Sequence, residues 1–260
     1  MALGVHRLMA ASRPPARHPF SDFPGPLAMA HRGFSRDGLE NSLTAFAAAV
    51  DLGYRYLETD VRATSDGEVV AFHDEHLDRV TDGRGELSRL PWSRVRGARI
   101  GGREPIPRLE ELLGSFPQAR FNIDVKTEVA IPGLIEALRR TSSHDRVLVT
   151  AFGEKRRRAA LAAIGAATAT SASSVRTALA LVGVRTRSEA LVRASLGGVD
   201  AVQVPVRHAG IDVVTAASID AVHRGGAQVH VWTIDDPRQI NALLDLGVDG
   251  ILTDRADVLR

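Results

Sequence analysis

Leu27-Ala28-Met29-Ala30-His31, then Ser42 to Leu52, then Arg55-Tyr56-Leu57-Glu58-Thr59-Asp60-Val61 read as strand, helix, strand. The middle segment carries Leu43, Phe46, Ala49 and Val50 at helical spacing behind a serine suited to cap a helix. The flanking segments alternate between two faces. Strands joined through a helix run parallel. The same unit recurs along the chain, with further strands at Phe121 to Lys126, Arg146 to Ala151, Thr168 to Ser171, Ala201 to Pro205, Gln228 to Thr233 and Gly250 to Asp254. Helical stretches lie between them at Ala130 to Arg140, Lys155 to Ile164, Asp212 to Arg224 and Pro237 to Leu246. Eight parallel strands alternating with helices predict an α/β fold, a closed (β/α)8 TIM barrel, as one domain over residues 25–260. An open doubly wound sheet would show a glycine-rich phosphate loop after its first strand, whereas this strand runs into His31, Arg32 and a single Gly33.

One segment departs from the rhythm. Val61 to His73 reads as strand, Asp66-Gly67 turn, strand, a β-hairpin that should set Asp60 opposite His73. Residues 74–107, rich in Gly, Arg and Pro, form an insertion over one end of the barrel, followed by a helix near Leu109. Residues 1–24 carry four prolines and little periodicity, and are expected to be a disordered tail.

Strand periodicity sorts the charges. Tyr56, Glu58 and Asp60 share one face of the second strand, and Asn122, Asp124 and Lys126 one face of the third, while apolar residues fill the opposite face of the latter. The apolar faces must meet the helices, so the charged faces look into the barrel. His31, Asp60 and Lys126 sit at the carboxyl ends of strands, where barrels of this kind build their sites. Each pair of carboxylates at about 4 Å, with an effective dielectric of about 20, repels by about 4 kcal/mol. Arg32 and Lys126 offset part of this. A divalent cation on Glu58, Asp60 and Asp124 does so more completely, and all-oxygen ligation favours Mg²⁺ or Ca²⁺. The alternative is a structural ion-pair network.

Composition narrows the classes further. No window reaches the roughly 18 uninterrupted apolar residues of a membrane span, so the chain is expected to work in water. Without cysteine it has no disulfides, thiolate metal site or cysteine nucleophile; the cytosol is the default compartment, secretion the other. Only Lys126 and Lys155 are lysines among 33 basic residues, and the net charge is +2, so the high pI reflects arginine rather than affinity for nucleic acid. The one tight basic cluster, Lys155 to Arg158, reads as a solvated helix face.

His31-Arg32-Gly33, Glu40-Asn41-Ser42, Glu58-Thr59-Asp60-Val61, Asp66-Gly67 running to His73-Asp74, and Thr81-Asp82-Gly83-Arg84-Gly85 together resemble the glycerophosphodiester phosphodiesterases. The likeness continues through Ile123-Asp124-Val125-Lys126, Val231-Trp232-Thr233 and Asp249-Gly250-Ile251-Leu252-Thr253-Asp254. The resemblance implies a (β/α)8 barrel and metal-dependent hydrolysis of small glycerophosphodiesters to glycerol 3-phosphate and an alcohol. It implies His31 and His73 as the acid/base pair, Arg32 and Lys126 as phosphate contacts, and Glu58 and Asp60 as metal ligands. Asp124 departs from the family's usual glutamate, and Ser42 from its usual threonine. Trp232 matches a substrate-wall residue, or fills the barrel as an ordinary aromatic. Glu40 either touches substrate or favours the dipole of the following helix. His76 lies in the insertion and is placed to approach the mouth; His144, His208 and His223 read as surface or loop residues, and His230 as a hydrogen-bonded core histidine.

The chemistry calls for these types. A phosphodiester monoanion needs its developing charge neutralised, and two imidazoles with pKa values near 6.5 can move the two protons. A relative acting on lysophospholipids or sphingomyelin through a cyclic phosphate would use the same residues, and would want an exposed apolar rim from Trp92, Val95 and Ile100. A noncatalytic phosphodiester-binding barrel would need no paired imidazoles.

Overall fold

A computed structural model describes residues 13–35, 37–165 and 168–259. Eight parallel strands form the barrel: β1 Leu27–His31, β2 Tyr56–Ala63, β3 Arg120–Val125, β4 Val147–Thr150, β5 Ala169–Thr170, β6 Ala201–Val204, β7 Gln228–Val231 and β8 Gly250–Thr253. Each pairs with its neighbours in sequence, and β1 joins β8 from Leu27↔Gly250 to Ala30↔Thr253. The seam between β5 and β6 is thin. It consists of the parallel bridge Ser171↔Ala201 and backbone bonds from Asp200 N to Thr170 O and from Ala172 N to Ala201 O, both 2.8 Å.

The surrounding helices are α1 Leu43–Asp51, α2 Leu109–Ser115, α3 Ile131–Arg140, α4 Glu154–Ile164, α5 Ser174–Arg185, α6 Glu189–Leu196, α7 Ala216–Arg224 and α8 Pro237–Leu246. Their ends follow local chemistry. Ser42 caps α1 by accepting from Ala45 N, and Asp236 with Pro237 opens α8, which Gly247 closes at φ +100°. Expected from Asp212, α7 begins later, because Ile211–Asp212 pairs with Arg207–His208 and Thr215 forms a capping box with Ser218. The α5–α6 pair had no sequence signal: α5 exposes Val175, Leu179 and Val182, so no polar face marked it as amphipathic. Among the described residues no helix is long and apolar enough to cross a membrane.

Alternation along each strand divides the core. Leu57, Val61, Phe121, Ile123 and Val125 face outward onto α1, α2 and α3, while Leu27, Met29, Tyr56, Leu148 and Leu252 fill the barrel's floor. Residues 13–24 do not behave as a free tail. Pro19–Ser21 makes a 3₁₀ turn that inserts Phe20, wholly buried, into that floor, worth about 1.5–3 kcal/mol of apolar burial. Tyr56 Oη donates to Phe20 O (2.7 Å), and Arg120 donates to Phe20 O and Asp22 O. Proline content had suggested disorder, but here it shapes a strap closed by one aromatic plug. Residues 1–12, the rest of the expected tail, lie outside the described residues.

The hairpin forms one register away from expectation. Val61 pairs with Ala71 and Ala63 with Val69, because the turn holds three residues, Ser65 to Gly67, rather than two. Thr64 causes the shift: its O accepts from Gly67 N, and its hydroxyl binds Asp66 (2.6 Å) and Glu68 N (3.0 Å). Asp60 therefore lies opposite Phe72, whose N donates to Asp60 O (2.9 Å), and His73 follows one residue later.

The insertion carries its own small core of Leu77, Leu87, Val95, Ile100 and Ile106, packed on Leu39, Val70 and Phe72. Val95 and Ile100 are fully buried, so the apolar rim expected from Trp92, Val95 and Ile100 is absent. The basic cluster also divides. Lys155 and Arg158 are exposed, whereas Arg157 is buried against Glu154, and Arg156 lies close enough to Asp124 to favour its charged form.

Candidate active site

β1 ends on His31, and the chain then takes left-handed backbone at Arg32 (φ 54°) and Gly33 (φ 82°). Gly33 is required: a Cβ there would sit 2.7 Å from the Ala45 carbonyl carbon, so only glycine lets the loop pass against α1. The turn directs Arg32 N onto Glu58, at 3.0 Å from its carbonyl and 3.2 Å from Oε2. Asn41, also left-handed (φ 60°), accepts from the buried Thr59 hydroxyl at 2.8 Å and fixes the far end of the same loop.

Strand pairing assembles the acidic group. His31 lies beside Glu58 across β1–β2, and Asp60 beside Asp124 across β2–β3. All three carboxylates are buried. Lys126 Nζ lies 2.7 Å from Asp60 Oδ1 and 2.6 Å from Asp124 Oδ2, and Arg32 Nε 3.0 Å from Asp60 Oδ2. In this arrangement the chain's own cations carry much of the neutralisation that the sequence assigned to a metal. Among the described residues no three His, Asp or Glu side chains stand close enough together to hold a metal ion as they are. The neutralisation is nevertheless incomplete. Asp60 Oδ2 and Asp124 Oδ1 are buried without a hydrogen bond, since the Arg32 contact is close but out of line. Burial, with Asp60 beside it, pushes Glu58 up to about 7, and burial also raises Asp124. Burial opposes the charge of Asp60, but Lys126 and Arg32 outweigh it and hold Asp60 below the usual carboxylate range. Three buried carboxylates, two of them with an unsatisfied oxygen, fit a hard divalent cation by donor chemistry.

Each histidine is braced by a carboxylate. His31 Nδ1 meets Asp254 Oδ1 at 2.7 Å, leaving Nε2 3.8 Å from Glu58 Oε2. Burial disfavours the imidazolium, yet Glu58 and Asp254 overcome it and raise the His31 pKa. His73 Nδ1 meets Asp74 Oδ1 at 2.7 Å. Arg79 grips Asp74 at both oxygens and also reaches Glu40, at 2.7 and 3.0 Å. Glu40 in turn accepts from Arg32 Nη1 at 3.0 Å, and Arg79 and Arg32 together overcome its burial and lower its pKa. An open pocket of about 470 Å³ lies over this corner, lined by His31, Arg32, Ser35, Glu40, Asp254 and Arg255.

On the other side of the mouth, Trp232 is half-buried and meets Phe152 edge-to-face (6.1 Å between centroids), and Lys126 Nζ lies 5.6 Å from the Phe152 ring. Sequence reasoning had not singled out Asp74, Arg79, Phe152 or Asp254 for the site. Asp254 was within reach, as an inward polar residue at the end of a barrel strand, and Asp74 as the neighbour of His73. Arg79 had no strand period to reveal it. His76 is exposed and its backbone bridges Glu86, so it does not join the group. His223, read as a surface residue, is instead buried against Asp249 (2.7 Å) at the barrel floor. His230 is a buried core histidine, which burial holds down to about 4.

Residues 31–258 match the Glycerophosphoryl diester phosphodiesterase family. A probable glycerophosphodiester phosphodiesterase 2 of Mycobacterium tuberculosis is 44% identical over 237 residues, spanning 91% of this chain and 90% of that protein. Two solved structures share the fold at 24% identity. The glycerophosphodiester phosphodiesterase of Agrobacterium tumefaciens superposes with a TM-score of 0.72 over 90% of this chain and 98% of its own. An Oleispira antarctica phosphodiesterase in complex with the product sn-glycerol-3-phosphate does so with a TM-score of 0.71 over 90% and 95%.

Proposed function

The chain belongs to the glycerophosphoryl diester phosphodiesterase family, and from that premise we propose that it hydrolyses small glycerophosphodiesters to glycerol 3-phosphate and an alcohol, with His31 and His73 as the acid/base pair. One observation carries the reading: two imidazoles, each held at Nδ1 by a carboxylate at 2.7 Å, flank a buried acidic group that also holds Arg32 and Lys126. A carboxylate at Nδ1 fixes the tautomer and turns Nε2 toward the substrate, as proton transfer requires. A binding protein would need neither brace.

Glu58, Asp60 and Asp124 would hold one divalent cation, Mg²⁺ or Ca²⁺, and when bound it supplies Lewis-acid neutralisation of the phosphoryl oxygens. Arg32 and Lys126 contact the remaining anionic oxygens. Trp232 and Phe152 form a wall for the organic portion of the substrate. Glu40, with both oxygens engaged by arginines, aligns Arg32 rather than reading the substrate itself.

The glycerol hydroxyl adjacent to the phosphoester is the nucleophile in this reading, because it is already within reach of phosphorus and the entropy of encounter is largely removed. One imidazole takes its proton as the new O–P bond forms, and the other protonates the departing alkoxide as the old O–P bond breaks. Water then opens the cyclic phosphate with the roles reversed. A panel of glycerophosphodiesters assayed for glycerol 3-phosphate, with and without chelator, tests the activity and its metal requirement; full turnover after confirmed metal removal would refute the cation. An analogue lacking the adjacent hydroxyl tests the route: turnover equal to the parent would make water the nucleophile.

A second reading, a lysophospholipid substrate, draws support from Val129 and Phe152, which stand exposed beyond the ends of β3 and β4 where an acyl chain would leave the mouth. Faster hydrolysis of lysophosphatidylcholine than of glycerophosphocholine would favour it.

A further inference from the structure

We propose that Arg79, carried by the insertion, is a positioning residue that sets both halves of the site, His73 through Asp74 and Arg32 through Glu40. This rests on the reading of His73 as an acid/base group. The guanidinium of Arg79 spans the two carboxylates, donating to both oxygens of each. Asp74 uses one of those oxygens to hold His73 Nδ1 at 2.7 Å, and Glu40 uses one to hold Arg32 at 3.0 Å. Arg79 thus joins, by hydrogen bonds at their tips, the loop after β1 and the loop after the hairpin.

The joint is built rather than incidental. Leu39 precedes Glu40, Phe72 precedes His73, and Leu77 lies two residues before Arg79; all three are buried in the same small core. The 3₁₀ turn Leu77–Arg79 is pinned by Leu77 N on Gly85 O (3.0 Å) and by Gly85 N on Asp78 Oδ2 (2.9 Å). Apolar contact therefore sets the backbones, and the guanidinium sets the two carboxylates at their tips. Only a planar fork with donors on two edges can serve both at once; a lysine ammonium has three donors but no such geometry. The loops reach the mouth without Arg79, but nothing else among the described contacts fixes the orientation of Asp74 relative to Glu40.

The test uses glycerophosphocholine hydrolysis. Arg79→Ala is expected to lower kcat by about tenfold to a hundredfold, the cost of misplacing a catalytic group by about 1 Å, with KM changing less than about threefold. Arg79→Lys should fall between Ala and wild type. In a Glu40→Gln/Asp74→Asn background, Arg79→Ala should cost less than about twofold more, because its two partners are already disabled. The proposal is overturned by wild-type kcat in Arg79→Ala, by a raised KM at unchanged kcat, which would make Arg79 a substrate contact, or by a full additional loss in the double background. His73→Ala is measured alongside. Wild-type turnover there removes the acid/base reading itself, whereas an inactive His73→Ala beside a fully active Arg79→Ala removes only the role of Arg79.

Discussion

At the floor of the barrel His230 lies wholly buried, with Gln228 donating to Nε2 at 3.0 Å and accepting from Arg13 at 2.9 Å. Asp249 beside it binds His223 at 2.7 Å and Val229 N at 2.7 Å. At the mouth, on the same inward faces of neighbouring strands, Glu58 and Asp124 are pushed above the usual carboxylate range by burial, and oxygens of Asp60 and Asp124 are buried without a hydrogen bond. Both ends enclose polar groups in low dielectric. The floor meets most of the problem through a neutral His230 and the strap that delivers Arg13 and Phe20, leaving His223 Nδ1 without a hydrogen bond; the mouth leaves more of it unsolved. Unsatisfied buried groups cost about 1–3 kcal/mol each. Their concentration at the carboxyl ends of the strands marks where the fold accepts instability for the sake of a ligand.

If that division holds, variants at the mouth should change turnover and spare stability, and variants at the floor should do the reverse. The largest effect is expected from His31→Ala and His73→Ala, each lowering kcat by about 10²- to 10⁴-fold with little change in melting temperature. Near wild-type turnover in either would remove that residue from the mechanism. At the opposite end, Phe20→Ala should cost about 3–5 kcal/mol of stability through the cavity it leaves, measured by denaturant unfolding, with kcat unchanged below the unfolding transition. A fall in kcat without loss of stability would dissolve the contrast.

The buried floor histidine also predicts a response to acid. His230 has a native pKa of about 4 against an ordinary value of 6.5, so as pH falls the unfolded chain takes up its proton first. Its contribution is constant above about pH 6.5, becomes unfavourable as pH drops, and levels near pH 4 at about 3 kcal/mol of lost stability. Urea titrations from pH 7 to pH 4 should show this slope in wild type and its loss in His230→Gln. An unchanged slope would mean that other groups govern acid unfolding.

What the sequence made legible follows from the same physics. The rhythm of short strands and helical stretches located all eight strands, and period-two alternation put Glu58, Asp60 and Asp124 on inward faces, because a strand offers only two faces and the helices claim the apolar one. Contacts that no local period encodes were hidden. The hairpin register turned on the Thr64 hydroxyl, the strap on one aromatic reaching the floor from outside the barrel, and the bond network of Arg79 on a loop folding back over its own beginning. The α5–α6 pair was missed because exposed valines and a leucine blurred its amphipathic signal.

The smallest expected effect concerns Asp124, where the family's usual residue is glutamate. Its Oδ2 is held by Lys126 at 2.6 Å while Oδ1 has no hydrogen bond, so one oxygen answers the chain's own cation and the other is left for a ligand. A glutamate reaches one methylene further and keeps the charge. Asp124→Glu should therefore hold kcat, and the metal concentration giving half-maximal activity, within about threefold of wild type. Asp124→Asn keeps the shape but removes the charge, leaving Lys126 with Asp60 as its one carboxylate partner. Its metal requirement should rise about tenfold, equivalent to about 1.4 kcal/mol, with stability changed by less than that. The comparison of the two variants isolates charge from reach. If Asn titrates with metal like wild type while Glu does not, the position selects for length rather than charge, and the cation rests on Glu58 and Asp60 without Asp124.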